Sequence, residues 1–197
     1  MDTLRIVNVG VGGQGNLLAS NLLGHAALAA GKQVVVSEIH GMAQRGGVVE
    51  SAVILGPATS PVVANGEADI LVSFEPVEAL RLLPKANADT LVVTNIRPLP
   101  PFTATVGQTS YPDPQDSVAF LKQKVKNVVA FDGMALAEQA GNPLALNMVM
   151  LGALFAAANL PIPLKVMKQV ITERSKAKFA EANIKAFDLG FEAAKAA

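Results

Sequence analysis

The stretch LRIVNVGVGGQG, residues 4–15, decides the fold of this chain. Its first half is an apolar, β-branched run typical of a buried strand, and its second half satisfies the pattern G-x-G-x-x-G. Residues 16–30 continue with helical spacing, and Gly31 stands where helices commonly end in a left-handed residue. A strand, a glycine-rich turn and a helix in this order predict the first βα unit of an α/β domain.

The rest of the chain repeats this alternation. Predicted strands occupy residues 33–37, 48–55, 70–74, 90–94 and 128–131, predicted helices occupy 76–83 and 115–125, and everything after 131 reads as helical. Prolines 98, 100 and 101 are expected to keep the segment around them irregular. Because no repeat or long linker divides the sequence, we expect a single domain over residues 1–197. Its predicted architecture is a mainly parallel, Rossmann-like sheet with helices on both faces and a helical C-terminal cap.

The first predicted helix separates polar from apolar residues. Its polar stripe, expected to face away from the sheet, consists of Asn16, Ser20, Asn21, Gly24 and His25. The residues expected to pack on the sheet are Leu17, Leu18, Leu22, Leu23, Ala26 and Ala30. On this pattern His25 is a surface or interface histidine.

The amino-acid composition excludes several kinds of site and of catalysis. The 197 residues include no cysteine and only two histidines. The chain therefore cannot form a disulfide, bind an iron–sulfur cluster through thiolates or use a cysteine nucleophile, and structural zinc is not expected. Charged residues make up 16% of the chain, against roughly 25% in an average soluble protein, and apolar residues make up 51%. The low charge predicts a large protein–protein interface, with an apolar composition confined to the core as the alternative.

Charge and hydropathy also bear on partners. Lys+Arg and Asp+Glu number 16 each, so the formal net charge is zero, and no basic cluster occurs. Nucleic acid is therefore not an expected partner. The sequence begins without a basic region, and its apolar helical stretch at 144–160 is shorter than the ~20 residues of a membrane span. We expect no membrane association and a cytoplasmic location.

The glycine-rich turn supports two interpretations. Such glycines let the backbone approach a phosphate closely, and the N–H groups at a helix start attract an anion. Glu38 directly follows the second predicted strand, where a dinucleotide fold places its ribose-binding acid, so a nicotinamide or flavin enzyme is one hypothesis. Alternatively, the glycines only allow close packing of helix on sheet. Gln14 argues against a dehydrogenase, because its amide can hydrogen-bond a neighbour as well as a phosphate.

The segment SEIHGMAQRGG, residues 37–47, is the most informative part of the sequence. It places His40, Gln44, Arg45 and three glycines at the expected carboxyl end of the sheet, where open α/β sheets bind ligands or partners. Arg45 could present its guanidinium to a carboxylate or phosphate, or it could be an ordinary exposed arginine beside a loop histidine. No Ser/His/Asp set, carboxylate pair or metal-ligand spacing can be assembled locally. The catalytic residues are therefore unknown, and no metal site is predicted.

Together, the two motifs resemble the γ module of 2-oxoacid:ferredoxin oxidoreductases, and most closely its indolepyruvate branch. The likeness continues in NMVMLGAL, residues 147–154, and in NIKAFDLGF, residues 183–191, so it spans nearly the whole chain. The string HGMAQRGG is the specific part of the resemblance, whereas the glycine turn alone is not. The resemblance implies that this chain is a subunit of such an oxidoreductase.

The resemblance further implies a division of labour. In that family a large partner subunit binds thiamine diphosphate, Mg²⁺ and [4Fe-4S] clusters, decarboxylates the 2-oxoacid and passes electrons to ferredoxin, while coenzyme A takes the acyl group. The γ module binds none of these cofactors alone and packs beside the thiamine site. Residues that would face the partner or the coenzyme A path are Gly12, Gly13, Gln14, Gly15, His40, Gly41, Gln44, Arg45, Gly46 and Gly47. Glu38 completes the candidate cofactor-binding set, and an isolated chain could form a homodimer.

One departure from the family concerns the third predicted strand. Members often carry polar or basic residues there in a pattern such as S-H-V-R, whereas this chain has Ser51, Ala52, Val53 and Ile54. The substrate therefore stays open between an aryl and another 2-oxoacid. Two other classes of function also remain, namely an autonomous NAD(P)-dependent dehydrogenase and a non-catalytic assembly module that binds a nucleotide or acyl-CoA.

Overall fold

The computed structural model describes residues 3–41, 47–58 and 60–197. The strands within these residues are β1 (Leu4–Val11), β2 (Val34–His40), β3 (Val48–Leu55), β4 (Ala68–Ser73), β5 (Ala86–Asn95) and β6 (Asn127–Phe131). The helices are α1 (Asn16–Ala29), α2 (Pro76–Leu82), α3 (Phe102–Thr105), α4 (Pro114–Lys124), α5 (Gly133–Gln139), α6 (Leu146–Ala157), α7 (Leu164–Arg174) and α8 (Ala177–Ala196). Short 3₁₀ turns occupy Leu83–Lys85 and Pro143–Ala145. Every predicted strand is present.

The strands form one sheet in the order β2-β3-β1-β4-β5-β6. β1, β4, β5 and β6 are parallel neighbours, whereas β3 is antiparallel to both β1 and β2. β2 therefore runs in the direction of β1, and β3 alone is reversed among the strands described. These pairings confirm a mainly parallel sheet. One edge of the sheet is here called the carboxyl edge. β3 begins there at Val48, and the other strands end there, at Val11, His40, Ser73, Asn95 and Phe131.

Helices cover both faces of the sheet, as predicted. α1 packs on β2 and β3, α6 packs on β5, and α8 packs on β6 and α6, which together bury the larger apolar core. α2 and α4 cover the opposite face over a second apolar cluster. Alternating residues of each central strand supply both cores, so β1 gives Ile6 to one side and Val7 to the other.

The prediction of which α1 residues meet the sheet is wrong in part. Asn16, Ser20 and Gly24 of the polar stripe are buried, whereas Leu18 is 50% exposed. Leu22, Leu23 and Ala26 are buried as expected, so the buried surface of α1 combines apolar residues with part of the polar stripe. Periodicity alone could not show this, because it does not reveal what the sheet presents to the helix.

Polar side chains of the sheet explain the orientation of α1. Ser20 Oγ accepts a hydrogen bond from Asn8 Nδ2 at 2.9 Å and lies 2.6 Å from Ser51 Oγ. Gly24 also faces inward, since a Cβ there would lie 2.7 Å from Val36 Cγ2. Buried polar groups must be hydrogen-bonded, and this internal chain of hydroxyls and amides satisfies that requirement. The polar stripe therefore holds α1 against β1 and β3.

The proline-rich segment is more regular than expected. After prolines 98, 100 and 101 the chain forms the single-turn helix α3, in which the N–H groups of Ala104 and Thr105 donate to Pro101 O at 2.9 and 3.1 Å. Proline lacks a donor but is tolerated at a helix start, where no intrahelical partner for that donor exists. The prediction of an irregular segment is therefore wrong at α3.

Two glycines set the packing of the C-terminal helices. A Cβ at Gly152 of α6 would overlap the carbonyl oxygen of Phe187, and a Cβ at Gly190 of α8 would overlap that of Val149. The backbones of α6 and α8 therefore touch directly. This contact joins the two C-terminal strings that carry the family resemblance and gives a physical reason for both glycines.

Candidate functional site

The glycine-rich turn lies at the carboxyl edge and connects β1 to α1, as predicted. Gly13 and Gly15 have φ angles of 107° and 78°, which favour glycine over residues with a side chain. The N–H of Gly12 donates to Gly47 O at 2.9 Å, so the turn is fastened to the start of β3. Two motifs that are more than thirty residues apart in the sequence thus meet at this point.

Gln14 fixes the conformation of the turn from within. Its Oε1 accepts from the N–H of Val11 at 2.8 Å, and its Nε2 donates to Phe74 O at 3.0 Å. A Cβ at Gly10 would lie 2.9 Å from Gln14 Oε1, so this amide needs glycine beside it. The sequence allowed the Gln14 amide to bond either a phosphate or a neighbouring residue. In the structure it bonds neighbouring backbone groups. Gln14 ties the end of β1 to the residue after β4.

Asn95 extends this framework and was missed by sequence reasoning. Asn95 Nδ2 donates to Phe74 O at 3.0 Å, so Phe74 accepts from both Gln14 and Asn95. Asn95 Oδ1 accepts from the N–H of Gly133 at 3.0 Å, at the start of α5. The side chain is fully buried. The signal in the sequence was a polar residue directly after a predicted strand. Asn95 also bonds the backbone of nearby Arg97, but the partners that place it at this site, Phe74 and Gly133, lie more than twenty residues away.

A cavity of about 560 Å³ lies beside α1 and is called the α1-side cavity. It gathers five residues predicted from the sequence for the cofactor-binding set: Gly12, Gly13, Gly15, Glu38 and Gly41. The remaining wall is formed by Asn16, Leu17, Leu18, Asn21 and Val49. Gln44, Arg45 and Gly46 lie outside the described residues, as does the side chain of His40. The binding role of the whole set stays a prediction.

A second cavity of about 400 Å³, the α5-side cavity, shares Gly12 and Gly13 with the first. Arg97 lines it, but its guanidinium already donates to Asp132 Oδ2 at 2.7 Å and to Glu138 Oε1 at 3.1 Å. Much of the remaining wall is apolar, with Pro98, Leu99, Met134, Pro143, Leu144 and Leu146. This cavity therefore suits an apolar group more than an anion.

A third cavity of about 370 Å³, the α2-side cavity, contains an acidic cluster that sequence reasoning also missed. Glu75 caps α2, and its Oε2 accepts from the N–H groups of Val77 and Glu78 at 2.8 and 3.0 Å. Its Oε1 accepts from the hydroxyl of Tyr111. Burial raises the pKa of Glu75 above its ordinary value, although these backbone bonds oppose the shift. Glu75 thus joins α2 to a distant loop.

Glu78 lies in the same cavity with fewer partners. Its Oε1 is 3.5 Å from Arg81 Nε, while its Oε2 is buried without a hydrogen bond. Burial raises the pKa of Glu78, Arg81 opposes the shift, and Glu75 adds to it. In the part of the chain that the structure describes, this Oε2 is the one buried side-chain oxygen or nitrogen without a partner.

The strand order argues against the hypothesis that the chain is a dinucleotide-binding dehydrogenase. Glu38 pairs in register with Ser51 of β3, which in turn pairs with Asn8 of β1. Glu38 is therefore two strands from β1, a lateral distance of roughly 10 Å at about 4.8 Å per strand. In a dinucleotide-binding sheet the strand bearing the acid is the direct neighbour of β1. The inserted β3 removes the arrangement on which the dehydrogenase hypothesis depended.

Metal-binding groups and membrane-spanning helices are both absent from residues 3–41, 47–58 and 60–197. No three His, Cys, Asp or Glu side chains come together as a metal-binding group in these ranges. No helix there combines the length and apolar character that crossing a membrane requires.

Comparison with known proteins agrees with the geometry. The sequence matches the pyruvate ferredoxin/flavodoxin oxidoreductase family over residues 5–193. It is 43% identical over 197 residues to indolepyruvate oxidoreductase subunit IorB of Pyrococcus horikoshii, spanning 99% of this chain and 98% of that protein. The subunit of the same name from Archaeoglobus fulgidus is 39% identical over 191 residues, spanning 97% and 95%. The crystal structure of a keto/oxoacid ferredoxin oxidoreductase γ subunit from Geobacter sulfurreducens is similar at 26% identity and a TM-score of 0.72, covering 98% of this chain and 99% of that one.

Proposed function

Because this chain belongs to the pyruvate ferredoxin/flavodoxin oxidoreductase family, we propose that it is the cluster-free subunit of an indolepyruvate-type 2-oxoacid:ferredoxin oxidoreductase. The proposal rests on one observation. The sequence is 39% and 43% identical, over nearly the full chain, to two proteins that are both named indolepyruvate oxidoreductase subunit IorB. The complex would oxidatively decarboxylate an aryl or another 2-oxoacid to acyl-CoA and reduce ferredoxin. An autonomous dehydrogenase is not favoured, because Glu38 is not on a strand next to β1.

The proposal assigns the redox cofactors to a partner subunit. A chain without cysteine offers no thiolate for a [4Fe-4S] cluster, so clusters do not fit this subunit. Thiamine diphosphate and Mg²⁺ would be bound by the same large partner. The role of this chain would then be to cover the partner's site with its carboxyl edge, where the glycine turn and the three cavities lie.

Coenzyme A would fit the α1-side cavity. A Cβ at Gly13 would meet no protein atom within 4 Å, so the turn leaves its backbone open at the start of α1. Such a backbone suits a phosphate group. From the sequence, where it precedes β3 by three residues, Arg45 would be the cation that pairs with this phosphate. When bound there, coenzyme A would supply the thiol that accepts the acyl group. This chain would position the cofactor and would transfer no proton.

Reconstitution of the complex tests the proposal. The chain is co-expressed with the thiamine-binding, cluster-bearing subunit of the same organism, and the product is separated by size. We expect one brown complex that reduces a dye only when an aryl 2-oxoacid and coenzyme A are both present. Two proteins that elute separately, or a complex whose activity does not depend on this chain, would contradict the proposed function.

A variant within the same experiment separates cofactor binding from assembly. Arg45→Ala is expected to assemble normally but to raise the KM for coenzyme A by about 10- to 100-fold, the usual effect of losing a hydrogen bond to a charged group. Lys165→Ala, which removes an exposed cation from α7, serves as the control and should leave this KM unchanged. If Arg45→Ala instead prevents assembly, Arg45 contacts the partner and not coenzyme A.

A further inference from the structure

The α2-side cavity carries chemistry that the proposed function does not use. It lies on the face of the sheet opposite α1, and Val11 and Val48 connect its wall to the glycine turn. Its acidic groups are Glu75 and Glu78, and its cation is Arg81. The described part of the cavity therefore holds two carboxyl groups against one guanidinium.

The two carboxyl groups differ in how many of their oxygens accept a hydrogen bond. Both oxygens of Glu75 accept hydrogen bonds, from backbone N–H groups and from the hydroxyl of Tyr111. Glu75 is therefore a structural cap with no need of a ligand. Glu78 has Arg81 near Oε1 at 3.5 Å and no hydrogen bond at Oε2, although its side chain is only 8% exposed.

A buried carboxylate oxygen without a partner is costly, so such an atom marks a place where a donor is missing. The missing group must donate a hydrogen bond, and a positive charge would balance the second carboxyl group. Burial also raises the pKa of Glu78, and a second cation would oppose that shift as Arg81 already does. The chemistry of the cavity therefore fits a cation that carries N–H groups.

We propose that the α2-side cavity receives a lysine or arginine side chain of the partner subunit, which pairs with the carboxyl group of Glu78. This inference rests on the proposed function, because it takes the carboxyl edge as the surface that meets the partner. The wall includes Val11, Val77, Leu99 and Pro101, which would contact the methylene groups of a long basic side chain. The Arg81 side chain, 57% exposed, marks a solvent-facing part of the same cavity.

The test compares Glu78→Gln with the wild-type chain, both in complex with the large subunit and as the free chain. The dissociation constant for the large subunit is measured by calorimetry, and thermal unfolding is measured on the free chain. We expect Glu78→Gln to weaken the complex by about 10- to 100-fold, while the Tm of the free chain stays the same or rises. The opposite signs arise because Oε2 of Glu78 lacks a hydrogen-bond donor in the free chain, where only Oε1 lies near Arg81, and gains a donor in the complex. Glu67→Gln makes the same charge change at the amino end of β4 and should leave the affinity unchanged.

Each other outcome has a definite meaning. Equal affinity of wild type and Glu78→Gln for the large subunit would overturn this inference while leaving the proposed function intact. Failure of the wild-type chain to bind that subunit would instead contradict the proposed function. A lower Tm of Glu78→Gln in the free chain would mean that the ion pair with Arg81 already satisfies the Glu78 carboxylate, and would also overturn the inference.

A soluble amine could supply the same chemistry, and a further titration distinguishes it. The free chain is titrated with propylammonium chloride and followed by NMR. We expect no saturable binding, because a small amine lacks the tether that a partner side chain provides. Saturable binding that is lost in Glu78→Gln, together with an unchanged affinity for the large subunit, would assign the cavity to a small cation and contradict the proposal.

Discussion

At the scale of single residues, the half-buried amide of Gln14 and the buried amide of Asn95 determine the geometry of the carboxyl edge. Gln14 and Asn95 both donate to Phe74 O, and through it they connect the ends of β1 and β5 to the residue that follows β4. The sequence indicated that Gln14 could bond a neighbour, but not which one. Asn95, Glu75 and Glu78 could not be predicted, because their burial depends on segments far away in the chain.

Gln14→Glu tests this framework directly. The glutamate can still accept from the N–H of Val11, but it replaces the donor to Phe74 O with a carboxylate oxygen about 3.0 Å from that carbonyl. We expect the free energy of unfolding to fall by about 1–3 kcal/mol, because two acceptors would then face each other with no hydrogen between them. Urea denaturation measures the change.

Gln123→Glu is the matched control, because Gln123 is exposed on α4. It should change the free energy of unfolding by less than about 0.5 kcal/mol. If Gln14→Glu proves as stable as this control, the amide does not hold the turn to β4.

At the scale of elements, local pattern predicted the strands and helices, while long-range pairing determined their arrangement. β-branched runs located every strand, and the glycine turn located α1. The reversal of β3 and its position between β1 and β2 could not be predicted, because neither has a local signature in the sequence. The orientation of α1 was missed for the same reason, since Asn8 and Ser51 attract its polar stripe.

The contact between α6 and α8 yields a prediction at this scale. Gly152→Ala would place a methyl group onto the carbonyl oxygen of Phe187, so the two helices must separate. We expect a loss of about 3 kcal/mol or more in the free energy of unfolding, measured by urea denaturation. Gly41→Ala is the control, because a Cβ there would meet no atom within 4 Å. Equal stability of the two variants would show that the helices are not in direct backbone contact.

At the scale of the whole molecule, the carboxyl edge concentrates the features that suit a partner. Three cavities open along it, and the leucines at 18, 99 and 144 near it are 50%, 47% and 81% exposed. The low charge of the sequence is consistent with this surface, as is the lack of cysteine in a subunit whose partner would bind the clusters. A chain of this kind would complete another subunit's site with its edge.

Hydrogen exchange measured on the free chain and on its complex with the large subunit tests this account most directly. We expect slower amide exchange in the complex at residues 10–15, 37–41, 75–81 and 97–99, which lie at or next to the carboxyl edge. Residues 66–69, at the amino end of β4, should exchange equally in both states. Protection confined to residues 66–69, or no protection along the carboxyl edge, would contradict the account.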